Sequence, residues 1–456
     1  MQKIFKETNS LDKRVVKEFF LSEELMMENA AFAMASYIKE NFEKNLKVLI
    51  LCGSGNNGAD GYALSRLLQS EYEVDIFEVY PPKSELVKLQ KKRAQTLHVN
   101  FVSEIKEADI VVDAIFGSGQ KKEKECDERL KNTLSCANSQ KAFKIACDIP
   151  TGLHHEFGFK ADITITMGAL KEVFYEDFAK DFVGEVKCGE LGIKRESYEL
   201  KSDTFLLEEK DLKLPIRKNQ NTNKGEFGYL SVIKGEQSGA ATISAIAGFN
   251  FGAGLVSLVG NVSEKCSPIV MQNETISSKT TALIGGMGLG NIKIKKEDFL
   301  KFPCVLDADL LHDEVIKEIV EKNENVVLTP HPKEFSSLLK IFKIGEFSVS
   351  EIQQNRFDFA RKFSLMSEAV LVLKGANTII AKNGVLYVCN LGNLSLAKGG
   401  SGDVLAGFIG GLLAQNKDTL SASINAVLAH ALISKKFRAN NYSLTPYDLI
   451  EGVKWL

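Results

Sequence analysis

Residues 392–407, GNLSLAKGGSGDVLAG, concentrate more chemistry than any other stretch of the 456-residue chain. Gly399, Gly400, Ser401 and Gly402 run into Asp403, and an apolar segment of helical character follows. Small residues let several backbone N–H groups converge on an anion. The start of a helix adds unpaired N–H groups and the positive end of its dipole, which favour a phosphate. A carboxylate beside such a cradle can take a proton from an attacking hydroxyl. The segment therefore points to phosphoryl transfer from a nucleotide to a small alcohol, against the plainer reading of a glycine-rich turn between helices.

Four further segments belong with it. GMGLG, residues 286–290, is a glycine loop after a strand. LTPHPKEF, residues 328–335, sets His331 between two prolines, which fix the backbone and present the imidazole rigidly. LKGANTII, residues 373–380, puts Lys374 and Gly375 at a strand end, where a nucleotide phosphate would lie. GEQSGAATISAIAG, residues 235–248, supplies a loop and a helix of small residues that a ligand can approach closely. A structural histidine and a solvated lysine are the competing readings of His331 and Lys374.

The first half carries a second constellation. LCGSGNNGADG, residues 51–61, follows a strand and opens a helix, and Gly53, Gly55 and Gly58 fit the dinucleotide-binding GxGxxG spacing. Asn56, Asn57 and Asp60 add polar side chains that such a fingerprint does not need. VVDAIFGSGQ puts Asp113 at a strand end, and CDIPTG does the same for Asp148 and Thr151. Asn57, Asp113 and Thr151 offer oxygen donors at carboxyl ends of strands and together suit a hard cation. Asp148 is then free for proton transfer, and Lys171, ending the next strand, can balance a carboxylate or give a proton. Plain turn formation by Asp and Gly is the alternative.

The elements that must position these groups follow a repeated pattern. Strands are expected at 47–52, 74–79, 110–114, 145–148 and 163–166, with a helix over 58–69. Alternating short β-rich runs and helices imply a parallel sheet with helices on both faces, binding ligands outside the carboxyl ends of its strands. The charged stretch 195–228 breaks the pattern and reads as a linker. A second series starts at 229–234, 255–259, 282–284, 304–307, 326–329 and 369–374, and 404–456 is mostly helical. The expected fold is α/β throughout: a Rossmann-like three-layer domain over 1–200 and a second three-layer domain over 205–456.

Composition narrows the rest. The chain has 44% hydrophobic and 25% charged residues and a net charge of −2, with no basic stripe to attract nucleic acid. Its eight cysteines form no CxxC pair and its six histidines no metal-binding spacing. Buried thiols in a reducing cytoplasm are expected, without a disulfide framework or a transition-metal site. MQKIFKETNS lacks an apolar signal core, and the stretch 239–260 reads as a packed helix and strand, not a membrane span.

GSGNNGADGYALSRLL, VVDAIFGSG, CDIPTG and ADITIT, in this order, resemble the epimerase domain that acts on hydrated NADH and NADPH; ELMMENAA, residues 24–31, resembles its early helix. The resemblance implies a potassium site at Asn57, Asp113 and Thr151. It implies substrate contacts at Asn56, Asn57, Gly58, Ala59 and Asp60, from Gly117, Ser118, Gly119 and Gln120 on to Glu123, and at Asp148. Ala59 replaces a usual glycine and is expected to crowd the substrate phosphate; Thr151 replaces serine and Glu172 glycine.

The second set resembles the ADP-dependent NAD(P)H-hydrate dehydratase domain of ribokinase-like fold, most specifically through TPHPKEF and AKGGSGDVLAG. That resemblance implies ADP as co-substrate, with magnesium. ADP contacts are expected at Lys374, Gly375, Ala376, Asn377 and Thr378, and from Asn393 through Lys398, Gly399, Gly400, Ser401 and Gly402. Hydrate contacts are expected at Ala240, Gly288, His331 and Asp403. Met287 stands in place of proline, Lys333 of glycine, Asn223 of histidine, and Leu394–Ser395 of Pro-Gly. Lys333 and Lys398 add positive charge near the phosphate site.

Both halves thus imply one substrate pool: the first interconverts the R and S hydrates, and the second dehydrates the S form. The expected partners are small molecules, with no nucleic acid and no membrane, and the chain is expected to form a homo-oligomer. Three rivals are a vitamin or sugar kinase with a fused nucleotide-binding domain, an NAD-dependent dehydrogenase, and a nucleotide-sensing interaction protein.

Overall fold

Runs such as Ile110–Ala114 and Ile163–Met167 are buried along their whole length, as strands covered on both faces must be. In the computed structural model, which describes residues 1–119, 127–261 and 267–456, such runs build two separate sheets. The chain divides into two units, Lys3–Ser202 and Asp203–Leu456, the second joined by Met1–Gln2.

The first unit's sheet holds β1 (Lys47–Cys52), β2 (Glu73–Glu78), β3 (Asn100–Val102), β4 (Ile110–Ala114), β5 (Phe143–Cys147), β6 (Ile163–Met167) and β7 (Glu185–Gly189). They lie in the order β3-β2-β1-β4-β5-β6-β7, all parallel. Side chains alternate across it. Val48, Ile50 and Cys52 enter one apolar cluster, Leu49 and Leu51 another. The strand order reverses between β1 and β4, which is where a ligand crevice opens in such sheets. Register sets Leu51 beside Asp113 and Asp113 beside Ala146, so the strand-end groups gather at that crevice. Ile4 and Phe5 pair in parallel with Leu170 and Lys171. Lys171 therefore lies in a short strand of its own after the Gly168 turn, not at the end of β6.

The second unit holds β8 (Thr204–Leu206), β9 (Tyr229–Ile233), β10 (Leu255–Val259), β11 (Met271–Asn273), β12 (Ala282–Gly285), β13 (Cys304–Leu306), β14 (Val326–Leu328), β15 (Val370–Leu373), β16 (Thr378–Lys382) and β17 (Val385–Cys389). Their order is β11-β10-β9-β12-β13-β14-β15-β16-β17-β8. The sheet is parallel as far as β15, and β16 runs antiparallel to both β15 and β17. The stretch read as a linker contains β8, which pairs with β17. Three residues in a charged segment carry too little periodicity to announce a strand, and pairing with a neighbour made it one.

Small residues decide the helix packing here. A Cβ on Gly407 would lie 2.4 Å from Ser244 O, and one on Gly411 2.6 Å from Gly248 O. Only glycine lets the helices Ser238–Asn250 and Ser401–Ala414 approach so closely. Among the described residues, no helix is long and apolar enough to cross a membrane.

Candidate active sites

In the first unit, β1 runs into a glycine loop and the helix Asn56–Leu68. A Cβ on Gly53 would meet Ile115 O at 1.9 Å, and one on Gly58 would meet Gly53 O at 2.0 Å. The fingerprint glycines thus let this loop lie directly against the one that follows β4. Ala59 is fully buried in the unit's apolar cluster, so its methyl does not crowd a phosphate as expected.

Asp148 follows β5 with φ +66°, a strained setting for a non-glycine residue, and four neighbours hold it there. Its Oδ2 accepts from Ser118 N–H at 2.9 Å. Its Oδ1 accepts from Lys171 Nζ at 2.6 Å, Met167 N–H at 3.2 Å and Thr166 Oγ1 at 3.3 Å. Lys171 Nζ also donates to Thr166 Oγ1 at 2.6 Å. A Cβ on Gly117 would sit 2.9 Å from Asp148 Oδ2 and 3.2 Å from Asn57 Oδ1, which places Gly117 between those two side chains.

Beside them, Asp113 is fully buried and accepts from Thr151 N–H at 2.7 Å, Thr151 Oγ1 at 2.8 Å and Ile115 N–H at 3.1 Å. No cationic side chain pairs with it among the described residues, and burial pushes its carboxyl up to about 6. Asn57 is buried too, and its Nδ2 has no hydrogen-bond partner. The Asp113 carboxylate without a counter-charge, the Thr151 hydroxyl bonded to it and the Asn57 amide oxygen are oxygen donors of the kind that suits a monovalent cation.

A cleft of about 440 Å³ opens over Asn57 and Asp148. Asn56, Asn57, Asp60, Ser118 and Asp148 line it, and Gly117 and Gly119 flank Ser118. Gln120 to Glu123 lie outside the described residues. Asp60 is raised well above the usual carboxylate range by burial and then by Asp148. The cleft has a second wall that sequence reasoning missed: Asp12, Lys13, Glu23, Met26 and Met27.

In the second unit, Gly400 caps the helix Ser401–Ala414 in the left-handed region, φ +88°. Among the described residues, the N–H groups of Gly402 and Asp403 meet no protein acceptor. Lys374 follows β15 and lies against that turn: a Cβ on Gly402 would be 3.5 Å from its Nζ. Two carboxylates hold the ammonium, Asp307 Oδ1 at 2.9 Å and Glu334 Oε2 at 3.8 Å. Burial alone would lower Lys374, but these charges outweigh it and raise it. Asp403 is pushed up to about 6 by burial and by Asp307, with Lys374 pulling the other way. Ser244 Oγ donates to Asp403 O at 2.7 Å, and His430, held near 4 by burial, lies 3.1 Å from Ser401 Oγ.

Other expected contacts have definite places. His331 caps the helix Pro332–Ile341: its Nδ1 accepts from Lys333 N–H and Glu334 N–H, while Glu334 accepts from His331 N–H at 2.7 Å. The ring is rigid because it is a cap as well as because prolines flank it. Gly288, φ +57°, abuts the start of the helix that carries Ala240, since a Cβ there would be 2.8 Å from Gln237 O. Gly375 and Ala376 are exposed, Asn377 is buried and Thr378 opens β16. Gly399 has open space where a side chain would be. Asn393 Nδ2 donates to Ser434 O at 2.9 Å, and Lys398 Nζ to Tyr442 O at 2.7 Å, so both side chains are tied to later segments, the helix Thr419–Lys436 and the turn Asn441–Ser443. Asp307 and Glu334 were missed, although Asp307 carries the same signal as Asp113 and Asp148, a carboxylate at a parallel strand's carboxyl end.

Two family models match the chain: one described as NAD(P)H-hydrate dehydratase over residues 230–454, the other as YjeF-related protein N-terminus over residues 23–173. The bifunctional NAD(P)H-hydrate repair enzyme Nnr of Helicobacter pylori is 44% identical over the full length of both chains. The chain belongs to the bifunctional NAD(P)H-hydrate repair enzyme family. Relatives of the same description from Dictyoglomus turgidum (32% identical, 98% of this chain and 96% of that one) and Escherichia coli (32%, 84% and 79%) agree. A solved ADP/ATP-dependent NAD(P)H-hydrate dehydratase from Bacillus subtilis, co-crystallised with ATP/Mg2+, aligns with 52% of this chain and 92% of its own at 25% identity, TM-score 0.45. Each family model falls within one of the two α/β units.

Proposed function

We propose that the chain repairs hydrated NADH and NADPH, its first unit interconverting the R and S hydrates and its second dehydrating the S hydrate with ADP, giving AMP and phosphate. The observation that carries this reading is the Asp403 carboxyl in the first turn of a helix whose N–H groups lack acceptors, with Lys374 held beside it. The helix start and Lys374 bind the terminal phosphate of the nucleotide. Asp403, as a carboxylate, takes the proton of the hydrate's ring hydroxyl, whose oxygen attacks that phosphate. Phosphate then leaves with the C–O electron pair, the adjacent ring carbon gives up a proton to solvent, and that C–H pair becomes the ring double bond. Gly288, Ala240 and His331 border the acceptor side.

In the first unit, Asp148 is the proton-transfer group and Lys171 balances its carboxylate, and Asn56 to Asp60 with Gly117 to Gly119 hold the substrate. Potassium fits Asn57, Asp113 and Thr151; bound there, it supplies a fixed positive charge that offsets Asp113 and attracts an anionic part of the substrate. Magnesium would enter with the nucleotide, held through phosphate oxygens and water. A homo-oligomer in the cytoplasm completes the reading; light scattering checks the assembly.

The kinase reading differs in product. Incubating the protein with hydrated NADH and ADP should release inorganic phosphate and AMP in equal amounts and leave no phosphorylated alcohol. A stable phosphorylated product would contradict dehydration.

A further inference from the structure

The cleft over Asp148 has two walls. One is the sheet's carboxyl end, with Asp148, to which Lys171 donates; the other is the helix Asn9–Phe19, which brings Asp12. Asp12 Oδ1 accepts from the Tyr198 hydroxyl at 2.7 Å, its single hydrogen bond among the described residues, and no cation pairs with it. Its carboxyl lies within electrostatic reach of both Lys171 and Asp148, and burial raises it above the usual range. Tyr198 is 1% exposed, and its ring rests on Gly168, where a Cβ would sit 2.4 Å from Cζ. Gly168 directly follows Thr166 and Met167, the residues that hold Asp148. One turn therefore fixes both carboxyl groups, through two different residues. Asp12 and Tyr198 lie outside the 23–173 stretch that the family model matches.

Epimerisation at the hydrated carbon, which is bonded to the ring nitrogen, needs a proton given on one face and taken on the other. The hydroxyl leaves as water once it receives a proton; the C–O pair goes with it, and the nitrogen lone pair forms a C=N bond. Water then adds to the other face, the C=N pair returns to nitrogen, and the surplus proton goes to a base. We propose that Asp12 is the second proton-transfer group of this site, giving the proton to the leaving hydroxyl while the Asp148 carboxylate takes one from the incoming water; the opposite conversion exchanges their roles. The inference rests on the placement of epimerisation at this cleft.

The test uses the full chain with a mixture of both hydrate epimers and ADP, following recovery of the reduced nicotinamide. The fast phase reports dehydration of the S hydrate, and the slow phase reports conversion of R to S. Asp12→Asn should slow the second phase by about a hundredfold, towards the uncatalysed rate, and leave the first within about twofold. Added formate should restore the slow phase in Asp12→Ala by standing in for the carboxylate. Tyr198→Phe, which removes one hydroxyl, should lower kcat for conversion and leave KM unchanged. A slow phase unchanged in both Asp12→Asn and Tyr198→Phe would overturn the assignment, as would Asp12→Ala that formate does not rescue. If Asp148→Asn also converts R to S at the normal rate, the placement of the whole site falls with it.

Discussion

In the proposed mechanism, Asp403 is the group on which dehydration turns. Asp403→Asn should lower S-hydrate dehydration by about 10²–10⁴-fold and leave conversion of the epimers alone, as separate assays of the two steps would read. Burial, and then Asp307, hold its carboxyl near 6. A base must be ionised to accept a proton, so kcat/KM for dehydration should fall as pH drops through about 6. Asp307→Asn removes a neighbouring negative charge, and that limb should move to lower pH; a pH profile of the variant checks it. The same change frees Lys374 from its 2.9 Å partner, so KM for ADP should rise as well. Asp403, Asp148 and Lys374 were legible in the sequence because glycine loops or strand ends flank them. Asp12 was not: it stands in an amphipathic helix where an acid reads as a solvated face, and its partner Tyr198 is 186 residues away. His331 was legible as a rigid residue, but the capping that makes it so depends on Glu334 turning back onto it.

The elements hold these groups through close contacts that tolerate no extra atoms. Gly411→Ala would drive a methyl against Gly248 O, 2.6 Å away, and part the helices that join Ser244 to Asp403. It should cost about 1–3 kcal/mol, read as a lower melting temperature for the second unit, and dehydration should fall with it. The parallel strands were legible because continuous aliphatic runs have no polar face to hide. The β16–β17 hairpin was not recognised, although its turn, Asn383 and Gly384 with φ of +50° and +79°, is a strong hairpin signal. β8 could not be read locally at all, since its hydrogen-bonding partner β17 lies some 180 residues on.

For the molecule as a whole, two chemically unrelated sites on one chain share a substrate pool. The first converts what the second cannot use. Each site's ions and co-substrate should therefore act on one step only. With potassium at Asn57, Asp113 and Thr151 as proposed, replacing it by choline should slow R-to-S conversion, because Asp113 would stay buried without a counter-charge, and should leave S-hydrate dehydration untouched; omitting ADP should do the reverse. The most direct test is the extent of recovery when the intact protein meets an equal mixture of the two hydrates with excess ADP. Complete and rapid return of reduced cofactor in the unaltered protein, with Asp148→Asn stalling once the S form is spent, is the predicted result. Recovery that stalls halfway in the unaltered protein, or that runs to completion equally fast in Asp148→Asn, would contradict the account.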